Sequence, residues 1–258
     1  MLGHRNNPQT ILITGGSGGI GRALALAYAG PGRTLFLSGR DRLRLDSAAA
    51  ACQESGAKAE ASAIDVQDRA SMARWIAECD ARHPLDLVIA NAGISAGTGG
   101  AKGEDDEQVR EIFSINLAGV LNTVSPAVAV MTERGEGQIA IVSSIAGFRG
   151  LPGAPAYSAS KAAVRLYGEA LRGQLFRHGI KVSVICPGFV ESRITENNAF
   201  PMPLLMSADK AARIIRRGLK RNKARIAFPW PIYWAGGMLG CLPPAWTDAL
   251  LRRLPRKI

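Results

Sequence analysis

Short apolar runs recur along this chain with helix-length segments between them: TILITG from Thr10, TLFLSG from Thr34, AEASAID from Ala59, LDLVIANAG from Leu85, QIAIVSS from Gln138 and IKVSVICPG from Ile180. The stretches between, among them Gly21 to Ala29, Arg42 to Glu54, Asp68 to Ala81, Asp105 to Met131 and Ala156 to Arg177, are patterned for helices. Strands separated by whole helices pair through crossovers rather than hairpins, so the alternation predicts βαβ units and a parallel sheet. Several runs are apolar at successive positions, as expected of strands covered on both faces. The expected fold class is therefore α/β, a doubly wound parallel sheet flanked by helices on both faces.

Composition bounds this reading without changing it. At 258 residues and 47% hydrophobic content, the chain can bury a large core and lies at the upper size for one α/β domain, so residues 1–258 are expected to form a single domain. The net charge of +11 invites a nucleic-acid partner, but the 32 Lys and Arg are spread out, with the densest runs at Arg213 to Arg225 and Arg252 to Lys257. Neither a zinc-finger spacing nor interleaved aromatic and basic residues upstream accompanies them, so a solvated surface and no nucleic-acid partner are expected. Cys52, Cys79, Cys186 and Cys241 lack any C-x-x-C, and His4, His83 and His178 lack partner spacing, which predicts no metal site, no disulfide framework and a cytoplasmic setting. The N-terminus runs from a short polar leader into a strand pattern without an apolar signal region. No stretch reads as a membrane span, although IAFPWPIYWAGGMLGCLPPAW is apolar enough to need its own account.

In open α/β sheets, sites form at the carboxyl ends of the strands. That places candidates at Gly15 to Gly21, Gly39 to Arg40, Asp65, Asn91 to Gly93, Ser143 to Ser144 and Pro187 to Gly188. The first strand opens into TGGSGGIG, where Gly15, Gly19 and Gly21 permit a tight turn, close approach of a phosphate to backbone and tight packing of the next helix. Together with the parallel sheet, this is the signature of a Rossmann-type fold, with G-x-x-x-G-x-G in place of the commoner G-x-G-x-x-G. The second strand ends in LSGRD: no acidic residue stands at Gly39, and Arg40 suits a 2′-phosphate, favouring NADP(H) over NAD(H), although Asp41 stands close. In AYSASKAAV, Tyr157 and Lys161 are four residues apart and share a helix face, so the ammonium is expected to lower the phenol pKa toward working pH.

Taken in order, TGGSGGIG, Asp65, NAG at Asn91 to Gly93, Asn116, SS at Ser143 to Ser144, YSASK and PG at Pro187 to Gly188 resemble the short-chain dehydrogenase/reductase family in its single-domain form, over roughly residues 8 to 192. The resemblance implies hydride transfer between a nicotinamide cofactor and a carbonyl/alcohol substrate. It implies Tyr157 as general acid/base, Lys161 as its pKa-lowering and ribose-binding partner, and Asn116 as holder of a relay water. The family's active-site serine lies thirteen residues before the tyrosine, which selects Ser144 over Ser143 to orient the carbonyl oxygen. The implied cofactor contacts are Gly15, Ser17, Gly19, Ile20, Gly21, Arg40, Asp65, Val66, Asn91, Ala92, Gly93, Tyr157, Lys161, Pro187, Gly188 and Val190. Asp65 either bonds the adenine amine or caps the helix that follows, and Asn91 to Gly93 either touches the adenosine or braces the sheet. Asn116 is either catalytic or a core residue satisfied by backbone. A hydroxyl beyond Val190 is expected from Ser192 or Thr195. The helices Asp105 to Met131 and Ala156 to Arg177 imply, by resemblance, a homodimer or homotetramer. A nucleotide-sensing or scaffold protein, or an epimerase or dehydratase, are the alternatives on this fold.

Two segments fall outside the shared motifs. Residues 189–207 are expected to form a substrate lid, in which Phe200, Met202, Leu204, Leu205 and Met206 point to a hydrophobic substrate or simply pack the lid down. Residues 229–258 depart from the family's short ending. Trp230, Tyr233, Trp234 and Trp246 beside LLRRLPRK read as a weak membrane-surface contact, or as packing on the body or a partner subunit.

Overall fold

The computed structural model describes residues 7–95, 104–196 and 201–252. Seven strands, β1 (Thr10–Thr14), β2 (Thr34–Gly39), β3 (Lys58–Ala63), β4 (Leu87–Ala90), β5 (Gly137–Val142), β6 (Ile180–Pro187) and β7 (Arg225–Phe228), form one sheet in the order β3-β2-β1-β4-β5-β6-β7. Every neighbouring pair is parallel. The helices are α1 (Gly19–Tyr28), α2 (Arg42–Glu54), α3 (Arg69–Arg82), α4 (Asp106–Phe113), α5 (Gly119–Arg134), α6 (Pro155–Leu175), α7 (Arg193–Glu196), α8 (Ala208–Lys220), α9 (Trp230–Cys241) and α10 (Pro244–Leu251). The strand order reverses between β1 and β4, where diverging connections leave a crevice at the strand ends.

The consecutive apolar residues of the strands divide between two cores because side chains alternate across a sheet. Ile11, Ile13, Leu35 and Leu37 face one side and pack with Leu24 of α1, Leu45 of α2 and Ile215 of α8. Leu12 and Phe36 face the other and pack with Met72 and Ile76 of α3, Val124 of α5 and Val164 of α6. Full burial of each such side chain stabilises the fold by about 1.5–3 kcal/mol.

Beyond the six expected strands there is a seventh. β7 is only four residues long and begins at the end of the basic stretch Arg213 to Arg225, so neither length nor composition marked it. That stretch belongs largely to α8, which buries Ala211, Ala212, Ile215 and Leu219 while Arg213, Arg216, Arg217 and Lys220 stay exposed, the solvated face that spread charge implies. A second difference concerns Asp106–Arg134, where α4, a π-helical turn at Ser114–Ala118 and α5 run on continuously. By length and composition this helix is apolar enough to cross a membrane, contrary to the sequence expectation. Its apolar residues Ile112, Ile115, Val120, Val124, Ala127 and Met131 are instead buried in the protein interior.

Candidate active site

A cleft of about 460 Å³ runs along the carboxyl ends of the strands. Its first wall is the turn from β1 into α1. Gly15 and Gly19 hold positive φ angles of 67° and 49°, which side chains other than glycine rarely adopt. A Cβ at Gly21 would stand 2.1 Å from the Gly15 carbonyl oxygen, so Gly21 is required for packing behind the turn and does not line the cleft. At Gly18 a Cβ would meet nothing within 4 Å, leaving backbone open to an approaching group at the α1 N-terminus. Ser17 and Ile20 line the cleft beside it.

The neighbouring strand ends complete the wall. Asn91 donates from its side-chain amide to the carbonyls of Thr14 (3.0 Å) and Gly15 (3.1 Å), and the Thr14 hydroxyl accepts from the amides of Asn91 and Ala92. It thus braces β1 against β4 while also lining the cleft with Ala92 and Gly93. Asp65 and Val66 line it as well. Asp65 accepts from the Gln67 backbone N–H, and the cap of α3 is Asp68, so helix capping does not account for Asp65. Arg40 reaches the cleft with its only ion pair among the described residues a long, exposed one to Glu111 at 3.8 Å, which holds it weakly. Asp41, the acidic neighbour, also lines the cleft, while its carboxylate caps α2 through the Arg44 N–H and pairs with Arg44 Nε at 3.1 Å.

At the other end, Ser144, Tyr157 and Lys161 converge. Ser144 follows β5 and caps the 3₁₀ turn Ile145–Phe148 through the Ala146 N–H; Tyr157 and Lys161 occupy successive turns of α6. The Ser144 hydroxyl, which donates to the Pro187 carbonyl at 3.4 Å, lies close enough to Tyr157 to act on its phenol. Ser143 does not compete, because its hydroxyl donates to the Lys161 carbonyl at 2.7 Å. Lys161 is 3% exposed, its Nζ donates to the Val142 carbonyl at 3.0 Å and lies 5.8 Å from the centre of the Tyr157 ring. Burial lowers the Lys161 pKa to about 8. Burial pushes the Tyr157 phenol up, with the Ser144 hydroxyl opposing. Burial is thus the main influence on the Tyr157 phenol in the protein alone, and its direction is opposite to the lowering expected from Lys161.

Asn116 lies in the π-helical turn, fully buried and just behind the cleft wall. Its carboxamide is occupied: Oδ1 accepts from the Ile94 N–H at 2.8 Å, and Nδ2 donates to the Ile94 carbonyl at 2.9 Å and to the Ser160 hydroxyl at 3.2 Å. It nonetheless borders the catalytic end, since a Cβ at Gly93 would lie 3.1 Å from Asn116 Oδ1 and 3.2 Å from Lys161 Nζ. Pro187, Gly188 and Val190 line the cleft after β6. Val190 pairs with Met206 in an isolated parallel bridge that ties the two ends of the lid together. Ser192 and Thr195 both reach the cleft, with the Thr195 hydroxyl held by the Val190 and Ser192 carbonyls. Of the expected lid residues, Met206 is buried in the core, Leu204 and Leu205 are exposed, and Phe200 lies outside the described residues, as does His4. Sequence reasoning missed Ile94, Ile115, Arg193 and Ile194 on the cleft, where no motif marks them.

The switch-point crevice, glycine turn and buried Ser-Tyr-Lys cluster define a dinucleotide-binding α/β protein of the reductase type. The family described as short chain dehydrogenase matches residues 9–200, and the chain belongs to it as an oxidoreductase. An uncharacterized oxidoreductase of Myxococcus xanthus is 41% identical over 247 residues, 95% of this chain and 97% of its own length. A short-chain dehydrogenase from Sphingobium yanoikuyae, solved in complex with NADPH, is 25% identical with a TM-score of 0.80, covering 96% of this chain and 97% of that one. A 3-ketoacyl-ACP reductase from Sinorhizobium meliloti is 30% identical with a TM-score of 0.76, covering 88% and 99%.

Proposed function

We propose that this protein is an NADP(H)-dependent reductase or dehydrogenase of a hydrophobic carbonyl/alcohol pair, acting on one domain as a cytoplasmic homodimer or homotetramer. The observation that carries the cofactor preference is the strand end after β2, where Arg40 and Asp41 both line the cleft and the Asp41 carboxylate is engaged by the α2 N-terminus and Arg44. The Asp41 carboxylate at that strand end is thus already engaged by backbone and by Arg44, and the Arg40 guanidinium beside it is available to a phosphate. The relative with bound NADPH agrees with this reading. The turn glycines fit the same group: open backbone at Gly18 and a tight Gly15 to Gly21 approach leave room for a pyrophosphate at the α1 N-terminus. All four cysteines are free, which suits a reducing compartment.

The bound nicotinamide would supply or accept hydride. The chain's own residues handle the oxygen: the Ser144 and Tyr157 hydroxyls, which line the cleft together, donate to it as alkoxide charge develops, and Tyr157 passes the proton. Lys161 is placed to compensate charge on the phenolate that remains. Ile94 and Ile194 give the cleft apolar wall, which supports a hydrophobic substrate. Titrating NADPH and NADH in parallel tests the reading: NADPH binds at least about tenfold tighter, a preference that Arg40→Asp abolishes, as losing a charge-assisted phosphate contact requires. Equal or absent binding of both cofactors would refute it.

A further inference from the structure

Along α6, Tyr157, Lys161, Arg165 and Glu169 recur every fourth residue, so the stripe that carries the reaction groups runs on into a charged pair. Arg165 Nη1 lies 3.3 Å from Glu169 Oε2. From β7, Arg225 brings Nε within 2.9 Å of Glu169 Oε1 and makes a second contact to the same oxygen through Nη2. Both guanidiniums then stand over the ring of Phe148, at 4.5 Å and 5.2 Å from its centre. Two cations gathered on one ring repel each other, and the Glu169 carboxylate between them offsets that repulsion. Among the described residues, neither guanidinium has another ion pair.

Phe148 closes the 3₁₀ turn that begins at Ser144. Within this turn the Ala146 N–H donates to the Ser144 hydroxyl and the Gly147 N–H to the Ser144 carbonyl, each at 3.1 Å. So short a turn makes few bonds of its own, and its place is set by what grips it. On one side is α6: a Cβ at Gly147 would stand 2.7 Å from the Lys161 carbonyl carbon, and Arg165 Nε reaches the Gly147 carbonyl at 3.4 Å. On the other is α9: a Cβ at Gly236 would lie 3.1 Å from Ile145, and one at Gly240 2.4 Å from the Phe148 carbonyl oxygen. Tyr233 of α9 meets the Phe148 ring edge-on at 5.5 Å and accepts from Arg225 Nη1 at 3.1 Å. One carboxylate therefore joins β7, α6 and, through Arg225, α9 around the turn that carries Ser144.

We propose that Glu169 is a positioning residue: by joining Arg165 to Arg225 it fixes Phe148 between α6 and α9, and so holds the Ser144 hydroxyl toward Tyr157. The C-terminal helix α9 is thereby part of the support of the site. A displacement of about 1 Å at a reacting group can cost about a hundredfold in rate, so support at this distance matters to turnover. The proposal rests on the reading of Ser144 as a donor to the substrate oxygen.

Hydrogen exchange of the full-length protein, together with NADPH-dependent reduction of a polycyclic test ketone, tests it. Glu169→Gln should speed exchange of the Ala146 and Gly147 amides at least about tenfold while β1 and β2 exchange as in the wild type. Its kcat should fall at least about tenfold, with NADPH affinity and the KM for ketone held within about twofold. Added to Ser144→Ala, the same change should lower the residual kcat by less than about twofold, because a residue that acts through Ser144 has nothing left to act on. If melting shows that Glu169→Gln does not fold, Phe148→Leu is measured in the same way. A folded variant with unchanged exchange in the turn, with wild-type kcat, or with an equal loss in the Ser144→Ala background would overturn the proposal. A wild type that binds NADPH but reduces no ketone would instead refute the reading of the cleft, and the exchange rates then decide alone whether Glu169 holds the turn.

Discussion

The cleft and the C-terminal helical pair invert the usual placing of side chains in opposite senses. Around Tyr157, polar groups are buried: Asn116, Ser143, Ser160 and Lys161 all lie within the protein. On α9 and α10, large apolar groups lie outside it. The polar burial is answered inside the chain, since Lys161 has the Val142 carbonyl, Ser143 has the Lys161 carbonyl and Asn116 has both backbone groups of Ile94. Buried polar groups so satisfied hold a single geometry. The exposed apolar face has no such answer within the described residues. The lesson is that an anomaly completed by its own fold reads as a preformed reaction site, whereas one left incomplete has no role that the fold itself assigns.

If the cleft is a reaction site, changes there cost activity out of proportion to structure. Tyr157→Phe should lower the turnover of NADPH-dependent reduction of a polycyclic test ketone by about 10²–10⁴-fold while leaving NADPH binding within a few-fold, because one proton donor is lost and the fold is retained. A drop of less than tenfold would move the proton-transfer role to another group.

The second comparison turns on stability. Lys161 has a folded pKa of about 8, below that of an unfolded lysine. Between these values the unfolded chain binds more protons, so stability rises with pH across that window, and the penalty is greatest below pH 8. Lys161→Met, which removes the buried charge, should therefore raise stability at pH 7 by roughly 1–3 kcal/mol while abolishing activity. That gain should shrink toward pH 10.5; chemical denaturation at pH 7 and pH 10 would show it. A loss of stability at pH 7 would mean that the Val142 hydrogen bond outweighs the desolvation.

The smallest effect is expected on the outward face. Trp246→Ser should change unfolding free energy by no more than about 0.5 kcal/mol, as for other exposed positions. A larger destabilisation would show that Trp246 packs on the body and would erase the contrast between the two regions.

Much of the cleft was legible in the chain because its parts obey local rules. Gly15, Gly19 and Gly21 are demanded by backbone angles and close approach, and Tyr157 and Lys161 are brought together by a single helix. Ser144 needed the resemblance to be told from Ser143, and the fold adds that the Ser143 hydroxyl is turned to the Lys161 carbonyl. The dual part of Asn91, brace and wall at once, also waited on Thr14 being placed beside it. Ile94, Ile115 and Ile194 carry no local mark, since an isoleucine becomes a cleft wall only through what lies opposite.

By itself, then, the sequence determined the alternation of strands and helices, the two-sided burial of the sheet and the glycine turn, all of which follow from side-chain periodicity and backbone sterics. The tertiary structure decided three other things. It added β7, too short to announce itself, by giving it β6 to pair with. It set the direction of the Tyr157 and Lys161 pKa shifts, because desolvation depends on everything packed around a group and not on its neighbours in the chain. It also chose which side of α9 faces out, because the inner side had to fit Ile145 and Phe148 with glycine while Trp230, Trp234 and Met238 stay largely exposed on the other.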